Sequence, residues 1–260
     1  MGLTPEQIET FITDGCVRLD GAFPRELAEA GREILWRDTG CSPDDPSTWK
    51  SPVVRLGMYD DLPFRQAANT PRLYAAFDQL VGEGLWEPRP NLGTFPIRFP
   101  SDKDPGDDGW HIDTSFPPPQ GEVSDFFKWR ANVRSKGRAL LMLFLFSDVD
   151  ENEAPTRVRL GSHKSMARRL APHGDEGLSL GQLAAEGFDD SADCPVALAT
   201  GEAGDVWLCH PFLVHAAQPH HGTRPRIMAQ PPLLPRGELQ LNRQDDDYSP
   251  VEQAVRNALA

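Results

Sequence analysis

The sequence is poor in cysteine and has no long hydrophobic run. Its 260 residues include four cysteines, none in a CxxC pair, and a chain of this length needs no disulfides to stabilise its core. The longest apolar run, residues 139–146, is far shorter than the roughly 20 residues that a membrane-spanning helix needs. The N-terminus has neither the basic nor the apolar segment of a signal peptide. We therefore expect a cytoplasmic protein with reduced thiols and no membrane partner.

The sequence also lacks an excess of positive charge and the common nucleotide-binding motifs. It has 26 Lys and Arg residues against 39 Asp and Glu residues, which gives a net charge of -13. A negative field disfavours nucleic acids and anionic membranes as partners. No P-loop, GxGxxG or nucleophile elbow is present, so nucleotide and α/β-hydrolase chemistry have no support. The partner that we expect is a small-molecule substrate.

The N-terminal part of the chain has the pattern of helices. Thr4 is a capping hydroxyl, Pro5 stands at the first helical position, Gln7 completes a capping box, and Gly15 ends the element. A short strand candidate at 16–19 follows. We expect a single domain over residues 1–260, with a helical part at about 1–90, a β core at about 91–235 and a tail at 236–260 that ends in a short helix.

From about residue 90, short β-type runs alternate with loops rich in Pro, Gly and Asp. The expected strands are 92–99, 110–116, 139–146, 156–160, 205–208, 212–214 and 226–229. Seven short strands separated by turns predict a mainly β fold, a sandwich or jelly roll, with α decoration. The run 139–146 is apolar at every position, which predicts a central strand buried on both faces. Residues 165–195 are expected to form a helical or irregular insertion.

The strongest local signal for chemistry is the segment GWHIDTSF at 109–116. In a strand His111 and Asp113 project from one face, because alternate side chains point the same way. An imidazole and a carboxylate side by side offer two adjacent ligands to a divalent metal. Taken alone, an HxD tripeptide is more often a histidine hydrogen-bonded to a nearby carboxylate.

A third ligand must come from another part of the chain. His215 ends an apolar run and is therefore expected at the end of a buried strand. His220 and His221 lie in the following turn, where we expect them to be solvated, and His210 is expected to make structural hydrogen bonds. Two histidines and one carboxylate on one face of a metal form the facial triad of non-haem Fe(II) oxygenases, although zinc would accept the same ligands.

Arg226 opens the last predicted strand, eleven residues after His215. A guanidinium that points into a β fold needs an anionic partner, because an isolated buried charge is costly. A dicarboxylate co-substrate that chelates the metal at one end would supply that anion, and the planar fork of arginine suits a carboxylate. The alternative is a surface ion pair, and Arg224 is the second candidate for the anchor.

The segments GWHIDTSF, ENEAPTRVRLGSH and GDVWLCHPFLVHAAQPHHGTRPR resemble the phytanoyl-CoA dioxygenase family of Fe(II)/2-oxoglutarate oxygenases. The similarity extends over about residues 3 to 235. It implies a double-stranded β-helix (cupin-like) core with N-terminal helices packed outside it. It also implies that His111, Asp113 and His215 bind Fe(II), that Arg226 holds the distal carboxylate of 2-oxoglutarate, and that the turn 151–155 lies near the pocket.

The resemblance implies an enzyme that uses Fe(II), 2-oxoglutarate and O2. Such an enzyme hydroxylates an unactivated C–H bond of a small substrate and converts 2-oxoglutarate to succinate and CO2. The carboxylate of Asp113 fills the position that related halogenases leave open, so hydroxylation or desaturation is favoured over halogenation. The alternatives are a non-catalytic jelly-roll protein that binds a metal or small molecule, and a zinc-dependent hydrolase.

Three residues depart from the family pattern, and one segment has two interpretations. Ala217 stands where the family often has a small hydroxyl residue, which leaves the second anchor of 2-oxoglutarate open. Glu153 replaces a glycine, and Leu160 replaces a proline before the GSH sequence, in which we expect a structural turn and no ligand role for His163. The basic segment 128–138 could attract an acidic substrate, but a solvated loop is the favoured interpretation.

Overall fold

The computed structural model of the chain describes residues 2–118 and 123–260. The α-helices are α1 (Pro5–Asp14), α2 (Arg25–Thr39), α3 (Leu62–Ala68), α4 (Pro71–Val81), α5 (Ser162–Leu170), α6 (Leu180–Glu186) and α7 (Pro250–Leu259). The strands are β1 (Cys16–Leu19), β2 (Val53–Leu56), β3 (Trp86–Glu87), β4 (Phe95–Arg98), β5 (Arg130–Ala131), β6 (Leu140–Leu145), β7 (Arg157–Arg159), β8 (Leu178–Ser179), β9 (Val196–Leu198), β10 (Val206–Cys209), β11 (His215–Ala216), β12 (Met228–Ala229) and β13 (Pro232–Pro235).

The strand β6 is the centre of the largest sheet. The sheet order is β1-β10-β6-β13-β3, and β12 also pairs with β6. All six residues of β6 are buried, as its uninterrupted apolar run predicts. A smaller sheet has the order β11-β7-β9. Among the residues that the structure describes, the sheets stay separate and do not close into one barrel.

The two faces of β6 belong to two different hydrophobic clusters. Leu140, Met142 and Phe144 pack in the larger cluster, which also contains the apolar faces of the N-terminal helices. Leu141, Leu143 and Leu145 pack in the smaller cluster with residues of the second sheet. Because side chains alternate along a strand, β6 contributes to both hydrophobic clusters. The predicted mainly β class, with helices outside the sheets, is confirmed.

The N-terminal helix forms as its sequence predicts. Thr4 accepts a hydrogen bond from the backbone N–H of Gln7 at 3.2 Å, and the Gln7 side chain accepts one from the Thr4 N–H at 2.9 Å. Gly15 ends α1 with a left-handed φ of 85°. Because the chain turns there, β1 can begin at Cys16 and pair with β10. A candidate membrane-spanning helix is not found within residues 2–118 and 123–260.

Two predicted strands are not regular strands. Residues 110–116 make only isolated bridges, at His111 and Phe116, because Pro117 follows and a Gly- and Asp-rich loop precedes. Residues 212–214 are not paired as a strand, and β11 begins one residue later at His215. The chain turns after Pro211, where the Leu213 N–H donates to the His210 carbonyl. Periodicity in the sequence could not show these turns.

Gly15 also permits a close contact between α1 and the start of α5. A Cβ at Gly15 would overlap the His163 ring and approach Leu213 Cδ1 to 2.9 Å. Gly40 ends α2 with a similar φ of 69°, but no atom lies within 4 Å of its Cβ position. Substitutions at the two glycines therefore share the cost of backbone strain, and only the substitution at Gly15 adds the cost of steric overlap.

We expect Gly15→Ala to lower the free energy of unfolding more than Gly40→Ala. Both substitutions incur left-handed strain of about 1–2 kcal/mol, and only Gly15→Ala adds overpacking, which costs about 1–3 kcal/mol. Urea denaturation of both variants measures the difference. Equal losses would show that the α1–α5 contact is not tight.

Candidate metal centre

His111, Asp113 and His215 lie together, as the sequence predicts. One ligand atom of each lies within 4.8 Å of the others. Asp113 Oδ1 is 4.0 Å from His111 Nε2 and 3.9 Å from His215 Nε2. The backbones of the two histidines exchange N–H···O hydrogen bonds of 2.9 Å in each direction. This bridge places both imidazoles on one face, and Asp113 follows on the same face two residues after His111.

Both imidazoles are oriented by their own backbone. The Nδ1 atom of His111 is 2.8 Å from the Gly109 carbonyl oxygen, and that of His215 is 2.9 Å from the Leu213 carbonyl oxygen. A carbonyl only accepts, so Nδ1 carries the proton and donates it in each ring. Each Nε2 is therefore free to bind a metal, and its orientation is set by the Nδ1 contact.

The protonation states of the site also suit a metal. Burial, together with the nearby His111, lowers the pKa of His215 to about 4, so this imidazole is neutral at pH 7. Burial alone would raise the pKa of Asp113, but the Arg138 charge and the two imidazoles outweigh it and hold that pKa below its ordinary value. A neutral imidazole and an ionised carboxylate are the forms that bind metals.

Arg138 lies against Asp113 and was not identified from the sequence. Its side chain is nearly buried, and Nη1 is 3.3 Å from Asp113 Oδ2. The two carboxylate oxygens thus have different surroundings: Oδ1 faces the histidines and Oδ2 faces the guanidinium. The interpretation of 128–138 as a solvated loop is wrong for Arg138 and for Arg130, whose guanidinium binds Glu176 at 3.0 Å.

Arg226 is almost completely buried, at 1% exposure. Its guanidinium donates to the carbonyl oxygens of Ala154, at 2.6 Å, and Pro96, at 3.2 Å. No carboxylate of the described residues bonds to it, and its Nε has no hydrogen-bond partner there. The surface ion pair that was the alternative is therefore wrong, and the partners of the guanidinium among the described residues are two carbonyl oxygens.

Arg224, the second candidate for the anchor, is engaged elsewhere. Its side chain is 54% exposed and binds the Glu153 carboxylate at 2.6 Å and Asp150 at 2.6 Å. Glu153 is itself buried, and besides Arg224 its carboxylate accepts a hydrogen bond from the Asp150 N–H at 3.0 Å. The turn lies next to Arg226, since Ala154 accepts its hydrogen bond. Arg224 is therefore not available to a ligand.

The other histidines are placed away from the three converging residues. His210 and His163 are fully buried with their ring centroids 4.9 Å apart, and each ring contacts a backbone carbonyl. His163 lies in the first turn of α5. His221 is exposed as predicted. The expectation that His220 is solvated is wrong, because His220 is buried with its Nε2 2.8 Å from the Arg224 carbonyl oxygen.

A cavity of about 270 Å³ opens beside the three converging residues. Arg55, Arg98 and Asp107 lie in its wall, and Asp107 binds both arginines. Other lining residues are Leu56, Thr94, Pro96, Thr156, Ala217 and Gln230. The sequence pattern did not identify the arginines at 55 and 98, because each stands alone in its strand among apolar residues.

The donor set fits a divalent metal. Neighbouring ligands of a bound ion lie about 3 Å apart when each is about 2.1 Å from the metal, so the distances near 4 Å would close slightly around an ion. Two imidazoles and one carboxylate leave several coordination positions open, which is typical of non-haem iron sites. His111, Asp113 and His215 would hold the metal, and the cavity would admit its other ligands.

We expect Arg138→Met to weaken metal binding about 10- to 100-fold, the usual effect of losing a contact that orients a ligand. The variant frees Asp113 Oδ2 and removes the charge that keeps the carboxylate ionised. Anaerobic calorimetric titration with Fe(II) measures the affinity. Arg134→Met, a change at a half-exposed arginine of the same segment, is the matched control. Unchanged affinity in Arg138→Met would contradict the role of this arginine in orienting Asp113.

Known structures share this fold. SnoK, a non-heme α-ketoglutarate-dependent carbocyclase from nogalamycin biosynthesis, has a TM-score of 0.58 and 16% identity, with 94% of this chain and 89% of SnoK covered. HygX from Streptomyces hygroscopicus with nickel, 2-oxoglutarate and hygromycin B bound has a TM-score of 0.53 and 20% identity, covering 92% and 90%. The epimerase SnoN, in complex with Fe3+, α-ketoglutarate and nogalamycin RO, has a TM-score of 0.54 and 17% identity, covering 88% and 81%.

The sequence itself identifies the family. A sequence model of phytanoyl-CoA dioxygenase (PhyH) matches residues 44–228, the part of the chain that contains the three converging residues and Arg226. No curated protein matches the chain. HygX holds nickel and 2-oxoglutarate, and SnoN holds Fe3+ and α-ketoglutarate. The chain therefore belongs to the phytanoyl-CoA dioxygenase family of iron- and 2-oxoglutarate-dependent oxygenases.

Proposed function

We propose that this protein hydroxylates an unactivated C–H bond of a small organic substrate. The observation that carries the proposal is the convergence of His111 Nε2, Asp113 Oδ1 and His215 Nε2 within 4.8 Å beside an open cavity. A ferrous ion held there supplies, with 2-oxoglutarate and O2, the oxidising chemistry. In the balanced reaction, R–H, 2-oxoglutarate and O2 give R–OH, succinate and CO2.

The residues of the chain have separate tasks in this proposal. The two imidazoles and Asp113 hold the metal, with Arg138 maintaining the orientation and charge of the carboxylate. Arg226 binds the distal carboxylate of 2-oxoglutarate, because its guanidinium is buried and has only carbonyl partners among the described residues. The protein thus positions its ligands, and the metal and co-substrate provide the reactivity.

Hydroxylation is the outcome that the donor set favours. Asp113 offers an oxygen ligand at the position that a halogenase leaves open, so a halide has no vacant place. Carbocyclisation and epimerisation are alternatives, because SnoK and SnoN have this fold and are described by those reactions. Which bond reacts depends on how the substrate lies in the cavity, and product analysis distinguishes the outcomes. The cytoplasmic location expected from the sequence stays a prediction.

Two other functions use the same fold. A jelly-roll protein that binds a metal without turnover would not need a buried guanidinium behind the cavity wall at Pro96. A zinc-dependent hydrolase would accept the same metal ligands, but it has no use for an anchor for a dicarboxylate. Arg226 therefore favours the oxygenase over both.

We expect the purified protein with Fe(II) and O2 to convert 2-oxoglutarate to succinate. Asp113→Ala should abolish this conversion because it removes the only carboxylate among the three ligands, whereas Asp108→Ala, a change at an exposed neighbour, should not. Succinate measured by chromatography is the readout. An anaerobic titration with Fe(II) and 2-oxoglutarate should give the weak visible charge-transfer band of the chelate. The absence of both succinate and the band would favour the non-catalytic binding protein.

Arg226→Met should raise the KM for 2-oxoglutarate by about tenfold or more, the expected loss for a charge-assisted hydrogen bond. Metal affinity should be unchanged, because Arg226 contacts none of the three ligands. Arg236→Met is the control, since Arg236 is half-exposed and pairs with the equally exposed Glu87. Succinate release at varied 2-oxoglutarate measures KM. The same KM in both variants would contradict the anchor.

A further inference from the structure

The segment that carries His111 and Asp113 has little regular backbone pairing. Its bridge to His215 is isolated. In an antiparallel pair, the next hydrogen-bonded partners beyond this bridge would be Gly109 and Ala217, two residues away on each segment. No backbone hydrogen bond joins these two within residues 2–118 and 123–260, and the Gly109 carbonyl accepts from His111 Nδ1 instead. The backbone ladder therefore ends at the bridge on this side.

The guanidinium of Arg157 joins the same two segments. Its Nε and Nη2 atoms donate to the Ala217 carbonyl oxygen at 3.1 and 2.8 Å, and Nη2 also donates to the Asp108 carbonyl oxygen at 2.8 Å. Asp108 comes three residues before His111, and Ala217 comes two residues after His215. Because the donor is charged, these hydrogen bonds are stronger than neutral backbone bonds. The side chain thus spans the gap that the missing backbone pair leaves.

Arg157 and Arg159 also lie over the indole ring of Trp110. Their Cζ atoms are 4.8 and 4.3 Å from the ring centroid, within the range of a cation–π interaction. Val158 is paired with His215 and shares its face of the sheet, so the two arginines of β7 project from the opposite face. The stacked ring therefore supports the segment of His111 from behind and does not enter the cavity.

The two arginines differ in their other partners. Arg159 Nη1 donates to the Phe188 carbonyl oxygen at 2.6 Å and to Ser191 Oγ at 3.0 Å. Phe188 and Ser191 belong to the segment after α6, which carries none of the three ligands. Arg157 is therefore the member of this pair that contacts both ligand-bearing segments.

We propose that Arg157 is a positioning residue for the metal centre, which fixes the segment of His111 and Asp113 against that of His215 from the face opposite the metal. Without its guanidinium the isolated bridge would lack support on the side of Gly109, and the three ligand atoms would converge less often on one position. Groups that orient ligands in this way raise the affinity of a site without touching the metal. The proposal rests on the proposed function, since it assumes that a metal binds at these ligands.

The test compares Arg157→Met with Arg159→Met, because both remove a guanidinium from the Trp110 ring and only the first removes the tie between the ligand segments. Anaerobic calorimetric titration with Fe(II) should show about tenfold weaker binding in Arg157→Met and wild-type binding in Arg159→Met. The visible spectrum of the Co(II)-loaded protein reports the geometry of the ligands, and it should change in Arg157→Met alone. Urea denaturation of both variants separates a general loss of stability from a loss of alignment.

Amide hydrogen exchange in the metal-free proteins tests the same tie without any metal. The amide protons of His111 and His215 form the bridge, and their exchange is compared with that of the β6 amides in the same protein, which report global unfolding. Relative to β6, exchange at the bridge should be about tenfold faster in Arg157→Met than in the wild type, the expected effect of losing charge-assisted hydrogen bonds. In Arg159→Met the relative exchange should match the wild type.

Fe(II) affinity and relative exchange in Arg157→Met equal to those of the wild type would overturn the proposal, and so would equal changes in the two variants. Where Arg157→Met does not fold, Arg157→Lys provides the comparison, because an ammonium group keeps the charge and lacks the planar fork. Wild-type affinity and exchange in Arg157→Lys would then contradict the role. A wild-type protein that binds neither Fe(II) nor Co(II) would overturn the proposed function instead, and the exchange comparison would still decide whether Arg157 holds the two segments together.

Discussion

The backbone bridge between His111 and His215 is the interaction on which the candidate site depends. Each residue donates to and accepts from the other at 2.9 Å, so their side chains share a face, and Asp113 joins them by strand alternation. The loop that leads to His215 is fixed at both ends: the His210 N–H donates to the Gly15 carbonyl, and the Val214 N–H donates to the Ser162 hydroxyl at 2.9 Å. The end of α1 and the start of α5 thus hold the second histidine in register.

Buried arginines give the site an electrostatic character opposite to that of the whole chain. The protein has a net charge of -13, yet three buried arginines lie at or near the site: Arg98 lines the cavity, Arg138 lies against Asp113, and Arg226 bonds to the Pro96 carbonyl. Each has carbonyl or carboxylate neighbours that make its burial tolerable. Net charge describes the distant field that steers large partners, whereas a small dianion responds to the few groups it contacts. An acidic protein can therefore bind 2-oxoglutarate.

Several elements were predictable because their signals are local. The capping box and Gly15 define α1 through contacts within one helical turn, and the apolar run of β6 reports burial on both faces. The convergence of His111, Asp113 and His215 could be predicted because HxD alternates on one face and an apolar run precedes His215. The environment of Arg138 could not be predicted from a charge run, since its partner Asp113 lies on a separate segment. His220 was likewise misjudged, because a turn that looks polar folds back onto Arg224.

The sequence by itself determined the family, the mainly β class and the residue types able to bind a metal, because these depend on short-range patterns and on the order of motifs along the chain. Only the tertiary structure decided which side chains share the cavity. Folding brings Arg138 against Asp113 and leaves Arg226 without a carboxylate partner among the described residues. Contacts between distant segments depend on strand pairing and burial, which no local pattern encodes.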